Sequence, residues 1–240
     1  MTTLLYQTDS YLKIFSAKVV NVTADAHAIL LDRTAFYPGG GGQVYDKGII
    51  EFKGNKTILK RAKYSPDGIL HILEEGETLP KVGYEITGIL DWDRRYKVMR
   101  THTAMHILCG TIFRDYGALV TGGNMEPLKG RMDFEFENLT KDLVSVIESA
   151  INKEVAAARD IHVAIHSREE AFKIPDLIRT KINLLPPHIK EIRTIEIVGL
   201  DLQADGGTHV NNTSEVGTIH ITDYKSKGKV NKRLYIELEP

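Results

Sequence analysis

The chain has little cysteine, little net charge and no long apolar run, and each of these shortages excludes a structural feature or a class of protein. Cys109 is the single cysteine among 240 residues, which excludes an intramolecular disulfide and is typical of proteins from a reducing compartment. The 31 basic side chains are balanced by 32 acidic ones. No overall basic excess therefore predicts a nucleic-acid surface, and any such contact has to be local.

Membrane and export signals are also missing from the sequence. No run of apolar residues approaches the length that a membrane-spanning helix needs, and residues 1–10 contain no basic segment followed by an apolar one. The apolar content of 42% is enough for a proper core in one large or two small domains. We therefore expect a globular, cytoplasmic protein with no membrane partner.

Short runs rich in β-branched and aromatic residues, separated by tight-turn sequences, extend from Tyr11 to about Asp91. Such runs are typical of strands in a small antiparallel β-barrel or sandwich. A change to mixed helix and strand near Trp92 predicts two domains, residues 1–92 and 93–240. The strands predicted in the first domain are residues 18–22, 27–32, 48–52, 56–64, 68–73 and 84–92.

A run of four glycines interrupts the first domain. Glycines have no side chain to bury and cost backbone entropy to order, so a folded protein keeps such a loop mainly where a backbone must approach something closely. A flexible connector is the alternative, but Phe36, Tyr37 and Pro38 would anchor the start of the loop. No Lys-Ser/Thr pair follows, so the loop is not a P-loop. The candidate binding residues are Gly39, Gly40, Gly41, Gly42 and Gln43.

Two histidines, His102 and His106, lie four residues apart in a predicted helix that Asp93 would cap and that runs to Phe113. At this spacing both imidazoles lie on one face and can turn toward one metal ion. Pairs at this spacing also occur by chance. A zinc site needs further ligands. The segment 205–209, with Asp205 and His209, is the best candidate to supply them. Thr103 follows the first histidine, so the H-E-x-x-H metalloprotease pattern is absent.

Other residues of the helix leave alternatives open. Cys109 shares the face of the two histidines and is either a further ligand or a small core residue. The start of the helix is basic, which predicts a solvated face or, alternatively, a phosphate contact. These basic residues are Arg94, Arg95, Lys97 and Arg100.

Beyond the helix, the chain alternates between strand and helix patterns. A glycine turn is predicted at residues 119–125, and amphipathic periodicity predicts a helix at 140–159. A capping-box pattern at Ser167 and Glu170, followed by Pro175, predicts a short helix at 168–174. The predicted strands are residues 130–137, 161–165, 193–198, 216–224 and 230–238.

Three separated segments together resemble one known family. Residues 34–43, the His102 and His106 pair, and residues 206–209 occur in the order found in the editing domain of alanyl-tRNA synthetase. Because the aminoacylation half is missing, the chain most resembles the free-standing AlaX-type editing proteins that keep an N-terminal barrel. The resemblance implies an α+β fold, with a small antiparallel β-barrel packed on an α+β editing domain of the threonyl/alanyl-tRNA synthetase second-additional-domain type.

The resemblance also implies an activity and a cofactor. The family deacylates mischarged tRNA(Ala) at its 3′ end, which predicts Ser-tRNA(Ala) as the main substrate and Gly-tRNA(Ala) as a second one. One Zn²⁺ per chain would be held by His102, His106, Asp205 and His209, which are also the catalytic candidates. The family pattern has cysteine where this chain has Asp205. Aspartate binds zinc at about 2.0–2.2 Å, but a harder ligand set weakens the preference for zinc.

To discriminate between seryl and alanyl esters, the site would need a hydrogen bond to the serine hydroxyl. An alanyl ester would leave the buried polar group of the site unpaired, and the site would therefore reject it. Thr121 is the first candidate, with Gln43 and Thr103 next, although each is also an ordinary turn or helix residue.

Two alternative functions remain, a metal-dependent hydrolase of another ester or amide and a non-catalytic tRNA-binding module with a structural metal. Nothing in the sequence indicates an oligomeric state. A basic hairpin could contact a tRNA acceptor stem or could simply be exposed to solvent. Its basic residues are Lys225, Lys227, Lys229, Lys232 and Arg233.

Overall fold

The computed structural model describes residues 2–76, 78–181, 185 and 189–240. The chain divides into two compact units, Met1–Tyr96 and Lys97–Pro240, and the helix α1 (Trp92–Tyr116) contributes residues to both. The predicted domain boundary between residues 92 and 93 stays a prediction. Within the described ranges, no helix is long and apolar enough to span a membrane.

The first unit is a closed antiparallel barrel with the strand order β2-β3-β7-β6-β5-β8, and a short parallel pair, β1 with β4, lies beside it. The barrel alternative of the sequence interpretation is therefore confirmed over the sandwich. Its strands are β1 (Thr3–Leu4), β2 (Ile14–Thr23), β3 (Ala28–Leu31), β4 (Arg33–Thr34), β5 (Gly48–Phe52), β6 (Asn55–Ser65), β7 (Gly68–Leu73) and β8 (Glu85–Leu90).

Alternation along the strands builds the barrel core. In β7, Ile69, His71 and Leu73 are buried, while the residues between them are only half-buried, as the period of two in a strand requires. Phe15 and Phe36 pack edge to face with 5.3 Å between ring centroids. The other large fully buried aliphatic residues of this core are Ile29, Leu31, Ile50 and Leu59.

The second unit is an α+β arrangement of a four-stranded antiparallel sheet, β14-β15-β10-β9, and a three-stranded one, β11-β12-β13. The α+β class predicted from the sequence is confirmed. Its elements after α1 are β9 (Val120–Glu126), β10 (Lys129–Glu135), α2 (Lys141–Ala156), β11 (Ile161–Ser167), α3 (Arg168–Ala171), β12 (Glu191–Ile197), β13 (Asp201–Ala204), β14 (Ile219–Ser226) and β15 (Asn231–Leu238).

Two local predictions are wrong, and the strand β13 was missed. The glycine turn expected at residues 119–125 is instead the strand β9, because Gly122 and Gly123 pair with β10. Asp93 lies inside α1 rather than capping it, and the Asp91 carboxylate accepts the Arg94 backbone N–H at 3.2 Å instead.

A close approach between α1 and β13 depends on Gly110. A Cβ atom added at Gly110 would lie only 2.8 Å from Cβ of Asp201 and 3.1 Å from the backbone oxygen of Leu200. Only a glycine fits such a contact without displacing the strand. The contact brings β13 against the helix that carries His102 and His106.

Candidate metal centre

Four potential metal ligands meet inside the second unit. His102 and His106 come from α1, and Asp205 and His209 follow β13, with one ligand atom from each residue lying within 4.8 Å of the others. The rings of His102 and His209 stack with 4.1 Å between centroids. All three histidines are buried, so the group forms a compact cluster shielded from bulk water.

Local geometry explains how residues from two segments converge. The turn of α1 between His102 and His106 sets their ring centroids 5.2 Å apart on one face. After β13, the Asp205 carboxylate accepts the backbone N–H of Gly207 at 2.7 Å, a local turn typical of aspartate. This turn brings Nε2 of His209 to 3.1 Å from the same carboxylate oxygen.

Each histidine is also held from outside the cluster. Nδ1 of His106 donates to the buried Asp201 carboxylate at 2.9 Å, and Nδ1 of His209 lies 3.2 Å from the Thr103 hydroxyl. His102 bonds to the backbone of Thr208. For His106 and His209, this leaves Nε2 as the nitrogen that can serve the cluster. Metal-binding histidines are held in this way, with one nitrogen on the metal and the other on a fixed partner.

Burial sets the protonation states of the cluster. Desolvation lowers the pKa of His102 to about 4, and desolvation together with the neighbouring His102 lowers the pKa of His209 well below its usual value. Burial opposes ionisation of Asp205, but His102 and His209 outweigh it and hold the pKa of that carboxyl well below its ordinary value. Neutral imidazoles beside an ionised carboxylate are the donor set that a divalent ion binds.

The pKa of His106 shifts the other way. Burial alone would lower it, but the hydrogen bond and the charge of Asp201 raise it above the ordinary value. The proton that Asp201 favours is the one on Nδ1, the nitrogen that faces this carboxylate. The tautomer that leaves Nε2 free to bind a metal is therefore the one that the fold selects.

Several residues around the cluster escaped the sequence interpretation. Nε2 of Gln203 donates to Asp201 at 2.7 Å, and Nη1 of Arg193 donates to the backbone oxygen of Asp205 at 3.0 Å. Asp201 and Gln203 alternate on β13 with apolar neighbours, which was the available signal. Cys109 is buried and accepts from Gln203 at 3.3 Å, and burial raises the pKa of its thiol. It is not one of the four clustered residues.

The glycine segment lies in the first unit and forms an ordered hairpin. Gly40 and Gln43 exchange backbone hydrogen bonds of 3.0 and 2.9 Å, and Gly41 and Gly42 between them have φ values of 57° and 88°. This left-handed backbone favours glycine. Gly39 also has a positive φ of 84°, and Gln43 is buried. The alternative of a flexible connector is therefore not supported.

An ion pair fixes the base of this glycine hairpin. The Asp46 carboxylate accepts the Tyr37 backbone N–H at 2.6 Å and pairs with the fully buried Arg95, whose Nε lies 2.9 Å from Oδ1. Arg95 also donates to the backbone oxygen of Ala35 at 2.6 Å. A solvated face for the whole basic start of α1 is thus wrong for Arg95, which is engaged within the barrel unit.

The remaining candidates lie on the surface of the second unit. Thr121 is exposed, and its hydroxyl donates to the side-chain oxygen of Asn231 at 3.0 Å. In the basic hairpin, Lys225 pairs with Asp223 at 3.1 Å. Arg233 donates twice to Asp133, at 2.6 and 2.8 Å. The positive charge of this hairpin is therefore partly neutralised.

The similarity of this chain to known proteins agrees with the family resemblance of its sequence motifs. The family models "Threonyl and Alanyl tRNA synthetase second additional domain" and "tRNA synthetases class II (A)" match residues 192–235 and 9–94, respectively. An alanine–tRNA ligase from Saccharolobus islandicus is 35% identical over 226 residues, which cover 90% of this chain and 24% of the ligase.

Several relatives named alanyl-tRNA editing protein AlaX-M match over all or nearly all of their length. The protein from Saccharolobus solfataricus is 39% identical over 242 residues, covering 100% of both chains. The protein from Methanosarcina mazei is 38% identical over 248 residues, covering 99% of this chain and 97% of its own. The resemblance stated from the motifs is thereby confirmed, and the chain belongs to the AlaX-M family of alanyl-tRNA editing proteins.

Proposed function

We propose that this protein hydrolyses the ester bond of mischarged tRNA(Ala), with Ser-tRNA(Ala) as the main substrate and Gly-tRNA(Ala) as the second. The observation that carries the proposal is the buried cluster of three histidines and one aspartate in a chain of this family. An aminoacyl ester is already activated, so its hydrolysis needs no ATP. Because charged tRNA is made and used in the cytoplasm, that is where the protein would act.

One Zn²⁺ per chain would be held by His102, His106, His209 and Asp205. When bound, such an ion polarises a carbonyl and lowers the pKa of water from 15.7 to about 7. Asp201 fixes the tautomer and the orientation of His106, and Thr103 holds Nδ1 of His209 and with it the orientation of that ring. If Asp205 is not a ligand, its ionised carboxylate, 3.5 Å from Nε2 of His102 and 3.1 Å from Nε2 of His209, is the candidate base.

Discrimination between seryl and alanyl esters requires a polar group that pairs with the serine hydroxyl. Thr121 remains our first candidate, and Gln43 in the glycine hairpin the next. Thr103 is the weakest of the three, because its hydroxyl already contacts His209 and accepts the Val210 backbone N–H at 3.3 Å. Thr121→Val would then reduce the preference for seryl over alanyl ester, and an unchanged ratio would remove Thr121 from the assignment.

The decisive experiment measures deacylation of seryl-, glycyl- and alanyl-tRNA(Ala) with and without a chelator. We expect chelator-sensitive loss of the seryl ester, slower loss of the glycyl ester and sparing of the alanyl ester. His106→Ala should abolish the activity, whereas His162→Ala, at an exposed position on β11, should not. No hydrolysis by metal-replete protein would leave a non-catalytic tRNA-binding module, and full activity without metal would exclude a metal-dependent site.

A further inference from the structure

A group of aromatic and basic side chains, all exposed except for the half-buried Tyr45, lies on the barrel unit that carries the glycine hairpin, and the proposed chemistry does not use it. We call Tyr45, Arg61, Lys63 and Tyr64 the barrel platform. The last three lie on β6, and Tyr45 follows the hairpin. Both tyrosines approach the hairpin: a Cβ added at Gly39 would lie 3.5 Å from Cβ of Tyr45, and one added at Gly40 would lie 3.9 Å from the ring of Tyr64.

Tyr64 presents an aromatic ring to solvent from a fixed position. It is 59% exposed, although a ring of this size usually has more of its surface buried. Its hydroxyl lies 3.3 Å from that of the fully buried Tyr6, and the ring of Tyr6 packs edge to face against Tyr37 at 5.2 Å. The exposed ring is therefore anchored at its tip in the barrel unit and needs little ordering on binding a ligand.

The cations of the barrel platform differ in their ion pairing from the other cations of the same strand. Lys56 pairs with Glu51 at 2.7 Å, and Lys60 lies 3.9 Å from Glu74. Neither Arg61 nor Lys63 has an ion-pair partner among the residues that the structure describes. Arg61 instead lies over the ring of Tyr45, with its Cζ 5.2 Å from the centroid. Two exposed positive charges are thus available for an anionic ligand.

Aromatic rings interspersed with free cations are the features by which proteins bind single-stranded nucleic acid, with bases stacking on the rings and phosphates contacting the cations. The exposed Gly40 and Gly41 place no side chains in the way of a nearby RNA backbone. We propose that the barrel platform binds the unpaired nucleotides at the 3′ end of tRNA, with one base stacked on Tyr64. The identity of this RNA rests on the proposed function.

The test measures the affinity of the full chain for uncharged tRNA(Ala) and for the same transcript lacking its unpaired 3′ nucleotides. We expect Tyr64→Ala to weaken binding of the complete transcript by about 5- to 100-fold and to leave binding of the truncated one unchanged. Tyr64→Phe keeps the ring but loses the hydroxyl contact with Tyr6, so it should bind the complete transcript more tightly than Tyr64→Ala and no more tightly than the parent. Tyr116→Ala, at a 39% exposed tyrosine at the end of α1, is the matched control and should have no effect.

The salt dependence gives a second, independent readout. Arg61→Gln and Lys63→Gln should each reduce the slope of log affinity against log salt by about 0.7 to 0.9, the value for one lost phosphate contact. Lys56→Gln, at a cation already paired with Glu51, should leave the slope unchanged. Unchanged slopes in the first two variants would contradict their contact with phosphates.

Binding and deacylation separate this proposal from the proposed function. If the parent deacylates but Tyr64→Ala binds both transcripts normally, the barrel platform is wrong and the enzyme assignment stands. If the parent does not deacylate but binding depends on Tyr64 and on the 3′ nucleotides, the platform stands alone. Equal weakening for both transcripts, or no binding by the parent, would overturn the platform.

Discussion

The contact between Asp201 and His106 is the feature of the cluster that a single substitution tests most directly. Replacing the carboxylate by an amide in Asp201→Asn removes the charge that holds the Nδ1 proton of His106. Loss of such a partner typically weakens metal affinity by about 10- to 100-fold. We expect this loss for zinc in a competition titration with a chromophoric chelator. The control is Asp223→Asn at an exposed carboxylate, and an equal affinity in both variants would contradict the orienting role of Asp201.

Asp205 allows a prediction about which metal the cluster prefers. A thiolate is a softer ligand than a carboxylate and favours zinc over manganese. Asp205→Cys should therefore increase the ratio of zinc affinity to manganese affinity, measured by competition between the two ions for the purified protein. Because Gly207 and His209 both contact the native carboxylate, Asp205→Asn serves as the control for lost charge alone. An unchanged ratio in Asp205→Cys would indicate that residue 205 does not contact the metal.

The spacing of His102 and His106, together with the segment 205–209 that the family resemblance shares, was enough to predict which four residues meet, but not what surrounds them. The spacing of His102 and His106 defines one face of a helix, so their proximity follows from helix geometry alone. Asp201 touches His106 only because Gly110 lets β13 approach α1 closely. That approach depends on tertiary packing, which no local pattern in the sequence encodes. The residues that orient the ligands were missed for the same reason.

Among the elements, β7 carries a buried histidine that makes the barrel sensitive to acid. The Thr34 hydroxyl accepts the Phe36 backbone N–H at 3.1 Å and is hydrogen-bonded to Nε2 of His71 at 2.8 Å. Burial lowers the pKa of His71 to about 4, against 6.5 for a free histidine. Between these values the unfolded chain binds more protons than the folded one. Stability therefore falls as the pH drops from 6.5 toward 4.

The size of this effect follows from the pKa shift, at 1.36 kcal/mol for each unit. We expect His71 to account for about 3 kcal/mol of the unfolding free energy lost between about pH 7 and about pH 4. His71→Gln keeps a hydrogen-bonding group for Thr34 and removes the titration. Urea unfolding at both pH values should show a smaller loss in this variant than in the parent. Equal losses would mean that His71 titrates normally in the folded barrel.

Strand and helix patterns predicted most elements because those elements bury one face. The alternation of β7 and the periodicity of α2 required only local sequence. The strand β9 was mistaken for a turn because Gly122 and Gly123 resemble turn residues, yet both pair with β10. Gly122 lies near Asp133, and Gly123 lies near Met105. The short β13 alternates polar and apolar residues over only four positions, which is too few to predict a strand, and its pairing with β12 defines it.

At the scale of the whole molecule, the near balance of charge affects how tRNA would bind. With 31 basic and 32 acidic side chains, long-range attraction toward an anionic partner is weak. Many surface cations are already paired, including Arg233 with Asp133 and Lys129 with Glu237. Affinity should then depend on a few unpaired cations and on base stacking, which is the arrangement found on the barrel platform.

Metal binding should also change the stability of the whole protein. An ion that binds only the folded state stabilises it by about 2.7 kcal/mol at a free concentration of 100 times its dissociation constant. For a chain of this size, that corresponds to a rise in melting temperature of about 5 to 10 °C. We expect scanning calorimetry to show this rise when zinc is added to metal-stripped parent and to the His162→Ala control. His106→Ala lacks one of the four clustered ligands and should show little or none. An equal rise in His106→Ala would mean that zinc binds somewhere other than the cluster.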